Sequence, residues 1–93
     1  SASAAQARGG NVTLSYTVTK ACAVSVRVMN MAGRCIRELV SEKPVTAGVQ
    51  GELWNLCAAS GTRVPSGMYF LQIEALTEDG QRVSTMAQVR VTR

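Results

Sequence analysis

The chain has 93 residues, 46% of them hydrophobic but only 4% aromatic, with ten Lys and Arg against six Asp and Glu for a formal charge of +4. A chain this short buries only about 60–65% of its unfolded surface, which excludes two separate cores. It has no His and no CxxC pair, which excludes a zinc site of ordinary type, and it lacks the run of about 18 apolar residues that a membrane-spanning helix needs.

Residues 1–10, SASAAQARGG, are small and polar without periodicity and read as an N-terminal arm or linker; residues 11–93 read as the folded domain. No charged-then-apolar signal peptide stands at Ser1. From Asn11 the chain alternates, with Val12, Leu14, Tyr16 and Val18 on one face, as a half-buried strand requires. Val24, Val26 and Val28 repeat that pattern after a turn at Lys20–Cys22. Asn30-Met31-Ala32-Gly33 supplies a tight reversal, Gly33 taking the positive φ that a hairpin needs. A third strand from Arg34 to about Val40 breaks strict alternation at Ile36, Leu39 and Val40, which implies a bulge, and Ser41–Gly48 with Pro44 reads as a loop.

Val49–Asn55 is expected as an edge strand leading into Trp54, because Gly51 and Glu52 stand where a central strand would place bulk. Trp54–Tyr69, WNLCAASGTRVPSGMY, reads as the connection between two sheets, with Gly61 and Gly67 as turn-makers. Tyr69, Leu71, Ile73 and Ala75 alternate in the clearest strand, and Thr77-Glu78-Asp79-Gly80 is a hairpin turn with Gly80 at its end. Val83, Thr85, Ala87, Val89 and Val91 then face one way. Such spacing predicts an all-β, Ig or fibronectin-III-like antiparallel sandwich of about six or seven strands, its core built on Tyr16, Val26, Ile36, Trp54, Tyr69, Leu71 and Ile73.

No residue is assigned a catalytic, cofactor-binding or metal-binding role. Cys57, Ser60 and Ser66 have no His to act as base, and Glu74, Glu78 and Asp79 lack the dense oxygen-rich loop that calcium requires. The chain is therefore not expected to be an enzyme. Arg8, Arg27, Arg34, Arg37, Arg63, Arg82, Arg90 and Arg93 are scattered along the chain, a pattern of solvated strand faces rather than a nucleic-acid surface. Cys22, Cys35 and Cys57 form an odd set with three open states: all free, one internal disulfide, or one bridge to another chain. Met29, Met31, Met68 and Met86 make a candidate adaptable surface; Met29, Met68 and Met86 with Phe70 fall on the outward faces of their strands and, together with Ser1 and Gly10 of the arm, are the candidate interaction residues.

The stretches NVTLSYTVTKA, VRVMNMAGRCIREL and GVQGELWNLCAASGTRVPSGMYFLQIEA, between Asn11 and about Val91, resemble the FlgD family. This is the Ig-like domain of the flagellar hook-capping protein, together with related C-terminal sorting domains of bacterial secreted proteins. Trp54, Gly61, Ser66, Gly67 and Tyr69 match its pattern. Asn55 and Leu56 stand where Asp and Gly are common, which implies a differently built turn and no cation site, and Glu52 stands where an apolar core residue is usual. The resemblance implies a secreted or cell-surface bacterial module for sorting, anchoring or docking, working through a protein partner or self-association. Nucleic acid, a small-molecule ligand, a cofactor and a transmembrane segment are not expected. A self-assembling filament subunit using the arm for strand addition, and a hook-cap-like scaffold, are the alternatives.

Overall fold

The structure, a computed structural model, describes residues 3–8 by their backbone and residues 10–92 in full. Seven strands and no helix make up the described chain: β1 Ser3–Arg8, β2 Asn11–Val18, β3 Cys22–Met29, β4 Cys35–Val45, β5 Gly48–Trp54, β6 Gly67–Thr77 and β7 Arg82–Val91. They form a three-stranded sheet, β1-β2-β5, and a four-stranded sheet, β4-β3-β6-β7, with every pairing antiparallel. In the constant-type Ig arrangement the fourth strand stays with the first, second and fifth. Here it has crossed to the sheet of β3, β6 and β7, giving a fibronectin-III-like sandwich.

Alternation decides which faces meet. Val12, Leu14, Tyr16 and Val18 of β2 are buried while their sequence neighbours are exposed or half-buried, and Val24, Val26 and Val28 of β3 are fully enclosed. Leu71 and Ile73 of β6 with Ala87, Val89 and Val91 of β7 complete the wall opposite β2. A core this rich in Val has little bulk per side chain, so its few aromatics carry a large share of the burial, about 2–3 kcal/mol each. Trp54 is fully buried, and its ring meets Tyr69 edge to face at 5.5 Å and 65°. Of the expected core residues, only Ile36 is half-buried, packed on the core's margin.

Two segments differ from the sequence expectation. Ser41–Val45 is strand, not loop: β4 continues through it and the connection to β5 shrinks to Thr46 and Ala47. The strand survives because it bends instead of stopping. Glu42 takes φ 49°, its N–H bonds to the buried Ser25 Oγ at 3.0 Å, and the register with β3 slips around Val26. Pro44, paired with Ala23, is tolerated because β4 is an edge strand and needs no donor on its open side. The arm is the other case. Ser3–Arg8 forms β1 on the edge of β2 in its own chain, from Ser3↔Tyr16 to Arg8↔Asn11. Small polar residues give no periodicity to read, yet their backbone groups pair as well as any others.

The glycines expected at turns, Gly33, Gly61, Gly67 and Gly80, all have positive φ. At Gly33 (φ 83°) the reversal is closed by Gly33 N–H to Asn30 O at 3.0 Å and Arg34 N–H to Asn30 Oδ1 at 2.9 Å, so the Asn side chain and the glycine act together.

Candidate docking surface

The connection from β5 to β6 is a small, well-bonded structure. Asn55 Oδ1 accepts from the Cys57 N–H at 3.3 Å and from Arg37 Nη1 at 2.6 Å, while the Trp54 indole N–H donates to Cys57 O at 2.9 Å. Leu56 then takes φ 64° with its side chain buried. Gly61 N–H bonds to Ala58 O, Ala58 N–H to Thr62 O and Val64 N–H to Leu56 O, folding residues 56–64 into a miniature hairpin. Ala59 N–H reaches Ile36 O at 3.1 Å and so pins the hairpin to β4. Leu56 adopts the left-handed conformation that suits a glycine, and Asn55 makes the local side-chain bond that an Asp would make. The Arg37 guanidinium fills the space beside Asn55 Oδ1 and Cys57 O.

The chain then stiffens through Val64-Pro65 and enters β6. Tyr69 Oη donates to Pro65 O at 2.7 Å, the tyrosine corner of Ig-type sandwiches in which the first turn of the sixth strand is tied to the preceding connection. Between this connection and the β3–β4 turn lies an open groove of about 570 Å³, lined on its apolar side by Met31, Ile36, Val64, Pro65 and Met68. Met31 is 71% exposed.

Charge is divided between the two ends of the sandwich. Three ion pairs, Arg27–Glu38 at 3.2 Å, Lys43–Glu52 at 2.9 Å and Arg82–Glu74 at 3.0 Å, take up half of the carboxylates. Arg63 lines the groove, Arg34 closes the β3–β4 turn opposite Asn30, and Arg90 stands opposite Met68. Among the described residues none of these three is in a salt bridge, and no carboxylate lines the groove. Glu78 and Asp79 sit at the other end of β6, in the hairpin. There Asp79 accepts a hydrogen bond from the Thr77 hydroxyl, which holds its carboxyl below the usual carboxylate range. Arg34, Arg63 and Arg90, distant in sequence, thus lie in turns and at a strand end on the groove half of the sandwich, because antiparallel strands bring distant residues to one end.

The other candidate interaction residues fall on the outer face of the four-stranded sheet. Met29 of β3 pairs with Phe70 of β6, both half-buried; Met68 lies two residues before Phe70; Met86, opposite Gln72, is 54% exposed. Met68 belongs to both the groove and this face, so the two are continuous. Gly10 is exposed near Arg63, and Ser1 lies outside the described residues. Cys22, Cys35 and Cys57 are free thiols, Cys35 exposed and the others half-buried. Sequence reasoning counted Met31 with the other methionines and Arg34 and Arg63 with the scattered arginines, but could not join them, because their signal is spatial: Met31 and Arg63 line the groove and Arg34 sits in the β3–β4 turn.

Glu52, an acid where an apolar residue was the norm, is only 10% exposed in its side chain. Its Oε2 accepts from Tyr16 Oη at 3.1 Å and from Lys43 Nζ at 2.9 Å, tying β5 to β2 and β4. Burial, then the Glu52 charge, push the Tyr16 phenol well above its ordinary value. Among the described residues no three of His, Cys, Asp and Glu gather where a metal ion could be held, and no helix is long and apolar enough to cross a membrane.

No family model matches the chain, and no curated protein matches it. Solved structures do. The structure of FlgD from P. aeruginosa superposes with a TM-score of 0.76 at 17% identity, covering 95% of this chain and 67% of that one. CopC from Methylosinus trichosporium OB3b matches with a TM-score of 0.51 at 15% identity, covering 94% of this chain and 79% of that one. Identities this low speak to architecture alone, and the architecture is a FlgD-like β-sandwich.

Proposed function

We propose that the chain is a non-catalytic docking module of an exported bacterial protein, a FlgD-like scaffold domain that works by protein–protein contact at the cell surface. The observation that carries this reading is the FlgD-like sandwich spanning nearly the whole chain. Beyond its core the fold presents an apolar groove with Arg63 in its wall and Met31 exposed, and surfaces of that kind serve partners. The hook-cap-like form of the reading is favoured over the sorting form by the similarity to FlgD. Strand addition by the arm is disfavoured, since residues 3–8 occupy the edge of their own β2.

The test is a fluorescent reporter carrying residues 1–93, sent out of the source bacterium behind a cleavable export signal and followed by cell fractionation. Retention on the cell surface, lost in cells without flagellar hooks, is the expected result for the scaffold form; retention independent of hooks would point to sorting or anchoring. A reporter recovered wholly in the medium contradicts docking in either form.

A further inference from the structure

The two ends of the sandwich are complementary to each other. β6 spans eleven residues, Gly67–Thr77, from the groove to the hairpin, roughly 36 Å at the rise of an antiparallel strand, in a molecule 41 Å long. At the groove end Arg63 lines the groove with Met31, Ile36, Val64, Pro65 and Met68, Arg34 stands in the adjoining β3–β4 turn and Arg90 is paired with Met68. At the hairpin end, Glu78 and Asp79 form an exposed tip, and Glu42 lies on the same half of the molecule, since Lys43 pairs with Val24 at the level of Ala75. Val83, two residues past Gln81, leaves half of its surface uncovered beside that tip. Of the basic residues on that half, Arg82 and Lys43 are held in ion pairs with Glu74 and Glu52, which leaves Lys20, next to Asp79, against three carboxylates. The hairpin end is therefore acidic with an apolar flank, and the groove end is apolar with a basic rim.

We propose that the groove takes the Glu78-Asp79 hairpin of a second copy of this chain, Arg34, Arg63 and Arg90 facing its carboxylates and Met31 and Met68 meeting Val83. The inference rests on the docking reading and adds to it a surface and a partner. Because the two patches differ and lie at opposite ends of the long axis, the contact is heterologous and does not close on itself, so copies stack head to tail. The end face, about 22 by 19 Å across, offers on the order of 400 Å² per copy, which places the contact in the weak, transient class. Pairing between exposed charges of this kind is screened by salt.

The test uses the 93-residue protein itself. Sedimentation equilibrium at about 50 mM salt should show association growing with concentration up to about 1 mM, weakened roughly tenfold at about 500 mM salt. Arg63→Gln and the double variant Glu78→Gln/Asp79→Asn should each associate at least about tenfold more weakly, while an equimolar mixture of the two should favour a dimer and stop there, since only the unaltered hairpin of the first and the unaltered groove of the second make the full contact. Amide chemical shifts of the unaltered protein should move with concentration at both residues 58–69 and 78–83, a readout that does not depend on any variant folding. A wild-type chain that stays monomeric, or variants that associate as the wild type does, overturn the proposal. Shifts at residues 58–69 on adding a glutamate-rich peptide, with none on raising protein concentration, overturn it as well and assign the groove to a foreign acidic partner. Surface retention of the reporter needs no self-association, so failure here and failure of the docking reading are separate results.

Discussion

The two ends of β6 are held by different physics. At Gly67–Tyr69 the strand is anchored by burial: Trp54 lies against Tyr69 with no exposed surface, and the Tyr69 hydroxyl is tied to Pro65 O. At Thr77–Gln81 it is held by local hydrogen bonds, with Thr77 N–H to Gln81 O, Gly80 N–H to Thr77 O, and the Thr77 side chain bonded to Asp79 and Gln81. Burial anchors are strong and depend on distant residues, whereas turn bonds are local and replaceable. The groove end is consequently anchored by the core, and the hairpin end by local bonds around exposed charge.

Breaking the burial anchor has the largest expected effect. Trp54→Ala should cost about 3–5 kcal/mol in urea unfolding, a large share of the total for a domain of this size. A loss under about 1 kcal/mol would show that the groove end is not the anchor. Next is the polar tie in the middle of the sandwich. Tyr16→Phe removes the hydroxyl from Glu52 Oε2 and should cost about 1–2 kcal/mol. It also changes the alkaline limb. The Tyr16 phenol is raised in the folded state, so its contribution is whole below the unfolded value of about 10 and is lost as pH climbs beyond it. The unaltered protein should therefore lose stability above that pH more steeply than Tyr16→Phe.

Leu56→Gly sharpens the comparison at the connection. It relieves the strain of a Leu at φ 64°, about 1 kcal/mol, but removes a side chain that is 4% exposed, about 2–3 kcal/mol. Thermal melts should show a net loss of about 1–2 kcal/mol; a gain would mean strain outweighs packing there. The smallest effect belongs to the hairpin. Asp79→Asn should lower the melting temperature only slightly, and that small difference should vanish at a pH low enough to protonate Asp79, because a lowered carboxyl contributes stability above its unfolded value and loses it on acidification.

Alternation made most of the sandwich legible. Val12 to Val18, Val24 to Val28 and Tyr69 to Ile73 face inward as period two requires, and Asn30–Gly33 and Thr77–Gly80 turn where their residue types say. Two segments escaped because their determinants are long-range. Ser41–Val45 holds its strand through Ser25 and an edge position, and Ser3–Arg8 through the backbone of β2, neither of which leaves a periodic mark. The surface was harder still. Met68, Phe70 and Met86 could be placed outward from strand parity, whereas the basic groove end depends on Arg34, Arg63 and Arg90 falling on the same half of the fold from separate turns and a strand end. Parity reads along a strand and is silent about which ends meet.

The proposal that the groove end is the surface that holds the chain to its partner is tested most directly by one comparison of reporter retention on the source cells. The pair is a groove variant, Met31→Asp with Arg63→Glu, and a remote surface variant, Val49→Asp on the edge of β5, both checked for native near-ultraviolet circular dichroism. Loss of retention in the groove variant with full retention in the remote one is the predicted result; equal retention of the two would contradict the proposal.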